Sequence, residues 1–518
     1  MSQVERQIAR LSAKQRALFE LRLAQLRADR PRDIIGRRSS GSGFFPLSFS
    51  QQRLWFVDQF ESGSAFYNIP YAVRVKGPLH AEVLVGALGA AVRRHESLRT
   101  VFGQQNSQPV QIVEPCRAVE IPVIDLGALA GRARESEARR LAAQEAQRPF
   151  DLSHGPLFRC ALLRLAWQEH VVTLVVHHII ADGESLRLLF RDLIALYRAI
   201  LTGTPSGLSD LPIQYPDFAL WQRDWMRDAF QQQAAYWRRQ LAGSPTCLKL
   251  ACDHPRPEVQ GFRGAQHAFV LPRALCDSLE ALGHEECSTS FMVLLAGYQV
   301  LVHHYADQDD IIVSAPMSYR DRSETAGLVG FFANTLLFRT LFTGEPTFRE
   351  FLGRVRRTVM EAYAHQFLPL EHVVRELAPS RSLSYSPFLQ VGMNYFAHDL
   401  EDMPRLPSVI VEEFSFDVTN VQFDLNLVLI RNPQGIRANL QYKIELFERS
   451  TVEHLAGQLR HLLELIAERP DATTIELRRL LGKRDEERRG AEKAELERSS
   501  VERFKSRQRR AVNVEVEP

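Results

Sequence analysis

Val171-Val172-Thr173-Leu174-Val175-Val176 runs without interruption into His177-His178, and Ile179-Ile180-Ala181-Asp182-Gly183 follows. An unbroken β-branched and apolar run suits a strand covered on both faces, since a strand with one wet face alternates. Asp182-Gly183 is a turn signal, and Ser185 to Leu196 then carries a helical pattern. Two imidazoles therefore arrive at the end of a core strand. Successive strand side chains point to opposite faces, so the pair cannot share one partner or one metal; one ring can face a cavity while the other packs. The plain alternative is a pair of core histidines satisfied by backbone carbonyls.

The same alternation of strand and helix extends outward in both directions. Upstream, Tyr71 to Val75 and Ala161 to Leu165 read as strands, and Ala81 to Arg94 and Glu135 to Ala146 as helices. A second series runs from about residue 265 to 470: a helix at Ser290 to Tyr305, strands at Ile311 to Ala315, Thr335 to Arg339 and Leu389 to Tyr395, and a helix at Val452 to Glu468. This predicts an α/β fold in two comparable halves, similar in element order without aligned repeats. Residues 4–28 form an amphipathic pattern with an apolar stripe to dock, and 29–44 gather Pro, Ser, Gly and Arg like an exposed linker. The expected division is a helical segment and linker at 1–44, subdomains at 45–220 and 221–475, and a charged, solvated tail at 476–518.

At 518 residues the chain is too long for one small module. Its 64 Lys+Arg against 62 Asp+Glu are too balanced for affinity built on phosphate neutralisation, which argues against nucleic acid as a partner. No apolar run is long enough to span a bilayer, and the charged N-terminus lacks the apolar core of a secretory signal, so a cytoplasmic location is expected. Six cysteines are too sparse for a disulfide scaffold, and Cys247, Cys252 and His254 lack the second ligand pair of a zinc site, so no metal is expected.

His177-His178-Ile179-Ile180-Ala181-Asp182-Gly183 resembles the His-His-x-x-x-Asp-Gly signature of nonribosomal peptide synthetase condensation domains, within the chloramphenicol acetyltransferase-like superfamily. Other segments resemble further motifs of that family in order. They are Ser48 to Phe56, Arg94 to Phe102, Tyr215 to Gln222, Gly330-Phe331-Phe332-Ala333-Asn334-Thr335, and more loosely His365 to Glu371 and Ser386-Pro387-Phe388 with Gln390-Val391. The likeness covers about residues 45 to 475. Glu184, where an aromatic residue is frequent, and Tyr442-Lys443, where a small polar one is common, depart from the pattern. Glu184 would place a charge near the reacting histidine and alter its basicity.

The resemblance implies two chloramphenicol acetyltransferase-like subdomains in a V with a central tunnel. It implies an acyltransferase in which an acceptor amine or hydroxyl attacks a thioester, both substrates riding on phosphopantetheine arms of peptidyl or acyl carrier proteins. No cofactor would be bound directly. His178 would accept the proton or position the nucleophile, with His177, Asp182 and Gly183 in the same site. Asp182 is expected to be held in a structural salt bridge by an arginine such as Arg320, and Gly183 to let backbone approach the reacting carbonyl. Asn334 is a candidate for the tunnel wall or for a plain turn. His95, His303 and His304 read as packing or capping groups. With neither an adenylation-type phosphate loop nor a carrier attachment site, the chain is expected to be a freestanding enzyme or an excised domain, and a monomer. The rival readings are a noncatalytic recruitment module of the same fold and a coenzyme A-dependent acyltransferase of the same superfamily.

Overall fold

A computed structural model describes residues 34–39, 43–60, 63–377, 382–397, 406, 408–416 and 420–490. The amphipathic stretch at 4–28 and the tail beyond 490 lie outside the described residues. The first half comprises β1 (Phe44–Pro46), α1 (Phe49–Phe60), β2 (Asn68–Lys76), α2 (Ala81–Arg94), β3 (Thr100–Gln105), β4 (Gln108–Val113), β5 (Val123–Asp125), α3 (Gly131–Gln147), β6 (Phe158–Ala166), β7 (Glu169–His177) and α4 (Gly183–Thr202). α5 (Tyr215–Gln240) leads to the second half. There β8 (Gly264–Pro272), α6 (Arg273–Glu285), α7 (Ser290–Ala306), β9 (Asp310–Ser318), β10 (Ala333–Leu341), α8 (Phe348–Ala364), α9 (Leu370–Leu377), β11 (Val391–Phe396), β12 (Ile410–Glu413), β13 (Leu425–Asn432), β14 (Gly435–Lys443) and α10 (Arg449–Glu468) follow.

Each half is built on its own sheet, ordered β12-β2-β7-β6-β5 in the first and β10-β9-β11-β13-β14-β8 in the second, with a small β1-β4-β3 sheet beside them. β7 is the middle strand of its sheet, which is why its sequence is apolar throughout. Leu174 and Val176 pack with Leu88 and Ala91 of α2 and Leu186 and Leu189 of α4. Val171 packs on the other face with Ala138 and Ala142 of α3. The two-subdomain α/β architecture is thus present, but its parts interlock. β12 comes from the second half of the chain and pairs antiparallel with β2, Ile410 opposite Lys76.

Three expected boundaries are corrected. No division falls at residue 220, because α5 is one continuous helix whose start (Tyr215, Phe218) joins the first core and whose end (Ala234, Trp237) joins the second. Part of the expected linker is docked: Ile35 is 2% exposed, and Arg38 bonds Glu96 at 2.5 Å and Asp217 at 3.0 Å. The tail does not become solvated at 476 either. Residues 474–490 are helical, with Leu477 and Leu481 fully buried in the second core. Asp485 there accepts hydrogen bonds from His304 at 3.0 Å, His454 at 2.5 Å and Gln458 at 2.6 Å. Leu477→Ala should therefore cost about 2 to 5 kcal/mol in a denaturant melt, as for other buried leucines. An unchanged midpoint would show that this helix is not docked.

Candidate active site

The local backbone fixes both imidazoles. His177 donates its N–H to the Leu157 carbonyl at 2.9 Å and His178 to that of Tyr67 at 2.8 Å, while Ile180 N–H returns to the His177 carbonyl at 3.1 Å. The chain thus leaves β7 in a tight turn, and the rings diverge. His177 is 4% exposed; its Nδ1 accepts from the Ile179 N–H at 3.1 Å, and its ring packs among Tyr67 and Phe150. Burial, aided by the neighbouring His178, brings its pKa down to about 3. It is a neutral packing group.

His178 is half-buried, its ring 4.6 Å from that of Phe331, and its Nδ1 is enclosed near the backbone of its own turn at His178 and Ala181. Burial holds its pKa below the usual imidazole value. The Asp182 carboxylate opposes that shift and the Arg53 guanidinium adds to it. His178 is therefore neutral at neutral pH, with a lone pair available. The charges bearing on it are Asp182 and Arg53. Glu184 accepts from Arg187 one turn on, with Nε at 2.8 Å.

Asp182 is the N-cap of α4. Its Oδ1 accepts from the backbone N–H and the hydroxyl of Ser185, both at 2.8 Å. Its Oδ2 accepts from Arg320 Nη1 at 2.7 Å and from the Phe332 N–H at 3.0 Å. Burial alone would raise this carboxyl, but Arg320 and Ser185 outweigh it and hold the pKa below the usual carboxylate range. Arg320 also donates to Ser185 Oγ at 2.7 Å and to the Leu328 carbonyl at 3.0 Å, and lies over the Phe332 ring. Asp182 and Arg320 are thus brought together, one from each half. Gly183 is exposed at the first position of α4.

Asn334 does not offer its amide to a cavity. Its Nδ2 donates to the carbonyls of Gln366 at 2.7 Å and Leu368 at 2.9 Å, tying β10 to the segment before α9. His95 is buried and bonded to Asp192 at 2.9 Å, and His303 stacks on Phe342. Among the described residues no group of three His, Cys, Asp or Glu side chains is arranged to hold a metal ion.

Sequence reasoning did not place Arg53, Ser185 and Tyr215 in the site. Arg53 of α1 meets Glu371 of α9 at 3.3 Å and bears on His178. Tyr215 bridges Ser48 Oγ at 2.8 Å and the Phe331 carbonyl at 2.5 Å. A methyl carbon on Gly330 would fall 2.0 Å from the Tyr215 ring, so glycine is required beneath it. Arg53 and Tyr215 lie inside the quoted motifs, which was the available signal; nothing local announces their partners. A cavity of about 500 Å³ lies away from the histidines, between α3 and the β6–β7 face, lined by Leu98, Leu141, Phe158, Leu163, Thr173 and Val175.

A family model described as condensation domain matches residues 42–487. A linear gramicidin synthase of Brevibacillus parabrevis is 44% identical over 428 residues, 82% of this chain; the chain spans only 6% of that protein. The X-domain from teicoplanin biosynthesis superposes with a TM-score of 0.75 at 27% identity, covering 86% of this chain and 99% of that one. The same domain in complex with OxyB gives the same TM-score and identity, with 86% and 98% covered.

Proposed function

The chain belongs to the condensation domain family, and we propose that it catalyses attack of an acceptor amine or hydroxyl on a carrier-bound acyl or peptidyl thioester, forming an amide or ester. The observation that carries this reading is the state of His178: neutral, half-buried, anchored by its backbone to Tyr67, with its ring against Phe331 of the other half. Nδ1 is the enclosed ring nitrogen, so Nε2 is the one that would meet the nucleophile, accept its proton and pass it to the departing thiolate. The reaction joins two bound ends and moves one proton, so placement supplies most of the acceleration. No cofactor need be held by this chain. Donor and acceptor would arrive on phosphopantetheine arms of carrier proteins along a tunnel at the seam. Asp182, Ser185 and Arg320 would hold the turn in place without touching the substrate.

The likeness to the X-domain, solved in complex with OxyB, favours a second reading, a recruitment module that binds another enzyme. The intact His177-His178-x-x-x-Asp182-Gly183 sequence weighs toward catalysis. Mass spectrometry of an acyl-loaded carrier incubated with an acceptor-loaded carrier and the protein should show the acyl group moved onto the acceptor. Consumption of acyl-coenzyme A in place of the loaded carrier would point to a soluble-donor acyltransferase. Failure to consume either donor would favour recruitment.

A further inference from the structure

β9 and β11 are neighbouring parallel strands with Gly392 opposite Ser314. Their last residues, Ser318 and Phe396, therefore end at the same level of the sheet. Just past β9, Arg320 reaches Asp182; at the end of β11, Phe396 reaches Gly183. Two adjacent strands of the second half thus set a cation and an aromatic ring on successive residues of the turn that follows His178.

The ring explains the glycine. The backbone of Gly183 is not left-handed, so its conformation admits any residue. A methyl carbon at Gly183 would lie 2.9 Å from Cε1 of Phe396, closer than carbon atoms pack, so the ring would have to shift to admit it. Phe396 is 37% exposed and Gly183 is exposed too, so the contact is no part of a core. An aromatic ring seated on bare backbone, partly in solvent, on the turn that follows His178, is placed to shape what can approach that turn.

We propose that Phe396 is a positioning residue for the condensation reaction: its ring, seated on Gly183, walls the reacting space and limits the bulk of the substrate beside the Asp182–Gly183 turn. This rests on the functional reading above and assigns Gly183 to admitting the ring, in place of approaching the reacting carbonyl. Arg320 and Phe396 then form a polar and an apolar half of one contact between the subdomains.

The test is a cycle of Gly183→Ala, Phe396→Ala and the double variant, read in melting temperature and in kcat and KM for donors and acceptors graded in side-chain size. Phe396→Ala should raise the ratio of kcat/KM for the largest over the smallest substrate by about tenfold in at least one series, the scale of a pocket enlarged by a few methylenes. Gly183→Ala should lower the melting temperature and kcat/KM with Phe396 present, and have no harmful effect on either in the Phe396→Ala background. Equal damage in both backgrounds would show that Gly183 serves the substrate directly and would overturn the proposal. So would unchanged size ratios in both series, which would leave a structural contact alone. Absence of product from the wild type with every donor and acceptor would sink the functional reading and the positioning role with it, even if the melting cycle still showed coupling.

Discussion

His178→Ala should slow carrier-dependent condensation by about 10²- to 10⁴-fold, the range for removing a positioned proton-transfer group, with little change in melting temperature. The two expectations come from different atoms. The hydrogen bond that anchors this residue runs from its backbone N–H to the Tyr67 carbonyl at 2.8 Å, and alanine keeps it. The ring contributes one face against Phe331 and only local contacts with the backbone of its own turn, at His178 and Ala181. Its removal deletes chemistry and leaves the turn intact. His177→Ala is the contrasting control, because that ring is 4% exposed and accepts from the Ile179 N–H. It should destabilise the fold by a few kcal/mol, about the cost of a cavity plus an unsatisfied buried donor. A His178→Ala protein that turns over normally would remove this ring from the mechanism.

The pH dependence follows from the direction of the shifts. Burial lowers His178 from its ordinary value of 6.5, so the ring stays in its proton-accepting form below pH 6.5. Activity limited by this group should persist into mildly acidic solution and fall only below the unperturbed imidazole range. Stability behaves differently. Both histidines bind protons more readily when unfolded, so stability is full above 6.5 and declines as pH falls through the interval down to about 3, where His177 titrates in the folded protein. A kcat/KM profile that breaks at or above the usual imidazole value, with intact folding, would contradict a neutral, buried His178.

The fold was legible where periodicity carried it. The continuous apolar run of Val171 to Val176 is legible as a doubly covered strand, and Ala81 to Arg94 as α2, because burial on two faces or on one helical stripe leaves its mark on consecutive residues. The pairing of Asp182 with Arg320 was legible through the family likeness, across 138 residues. What escaped were contacts whose two partners carry no shared local pattern. Arg38 looks like linker arginine until Asp217, 179 residues away, receives it. Leu477 and Leu481 keep a helical spacing, but the charges around them hide it in composition. Glu184 was legible as a charge beside the turn, but its pairing with Arg187 on the same helix was not. Asn334 sits in the right motif, yet the direction of its amide is decided by the Gln366 and Leu368 carbonyls, which the sequence places without orientation.

Breaking the Asp182–Arg320 pair from either side should cost both activity and about 3 to 5 kcal/mol of stability, the penalty of one buried charge left without its partner. The pair is enclosed, with side chains 5% and 8% exposed, so water cannot take the place of the lost group. Asp182→Asn separates the two duties of the carboxylate. Asparagine can still cap α4 through Ser185, so the remaining loss reports the charge together with the acceptor that Arg320 and the Phe332 N–H lose. Asp182→Ala should be worse by about 1 kcal/mol, because the cap goes as well. Arg320→Ala makes the most specific claim. In the wild type, Arg320 and Ser185 overcome burial and hold the Asp182 pKa below its ordinary 3.8, so the pair's stabilisation is present above that value and is lost as pH falls through the lower folded one. Without the guanidinium, only the hydrogen bonds from Ser185 and Phe332 oppose burial, and the folded pKa should rise from its wild-type position. The variant's deficit should then be largest at neutral pH and shrink as pH falls through that raised value, because protonation relieves the stranded carboxylate. Urea melts of wild type and Arg320→Ala from neutral pH to about pH 4.5, above the onset of general acid unfolding for most domains, would show the gap narrowing. A gap that stays constant or widens would mean that Asp182 is not held by this ion pair.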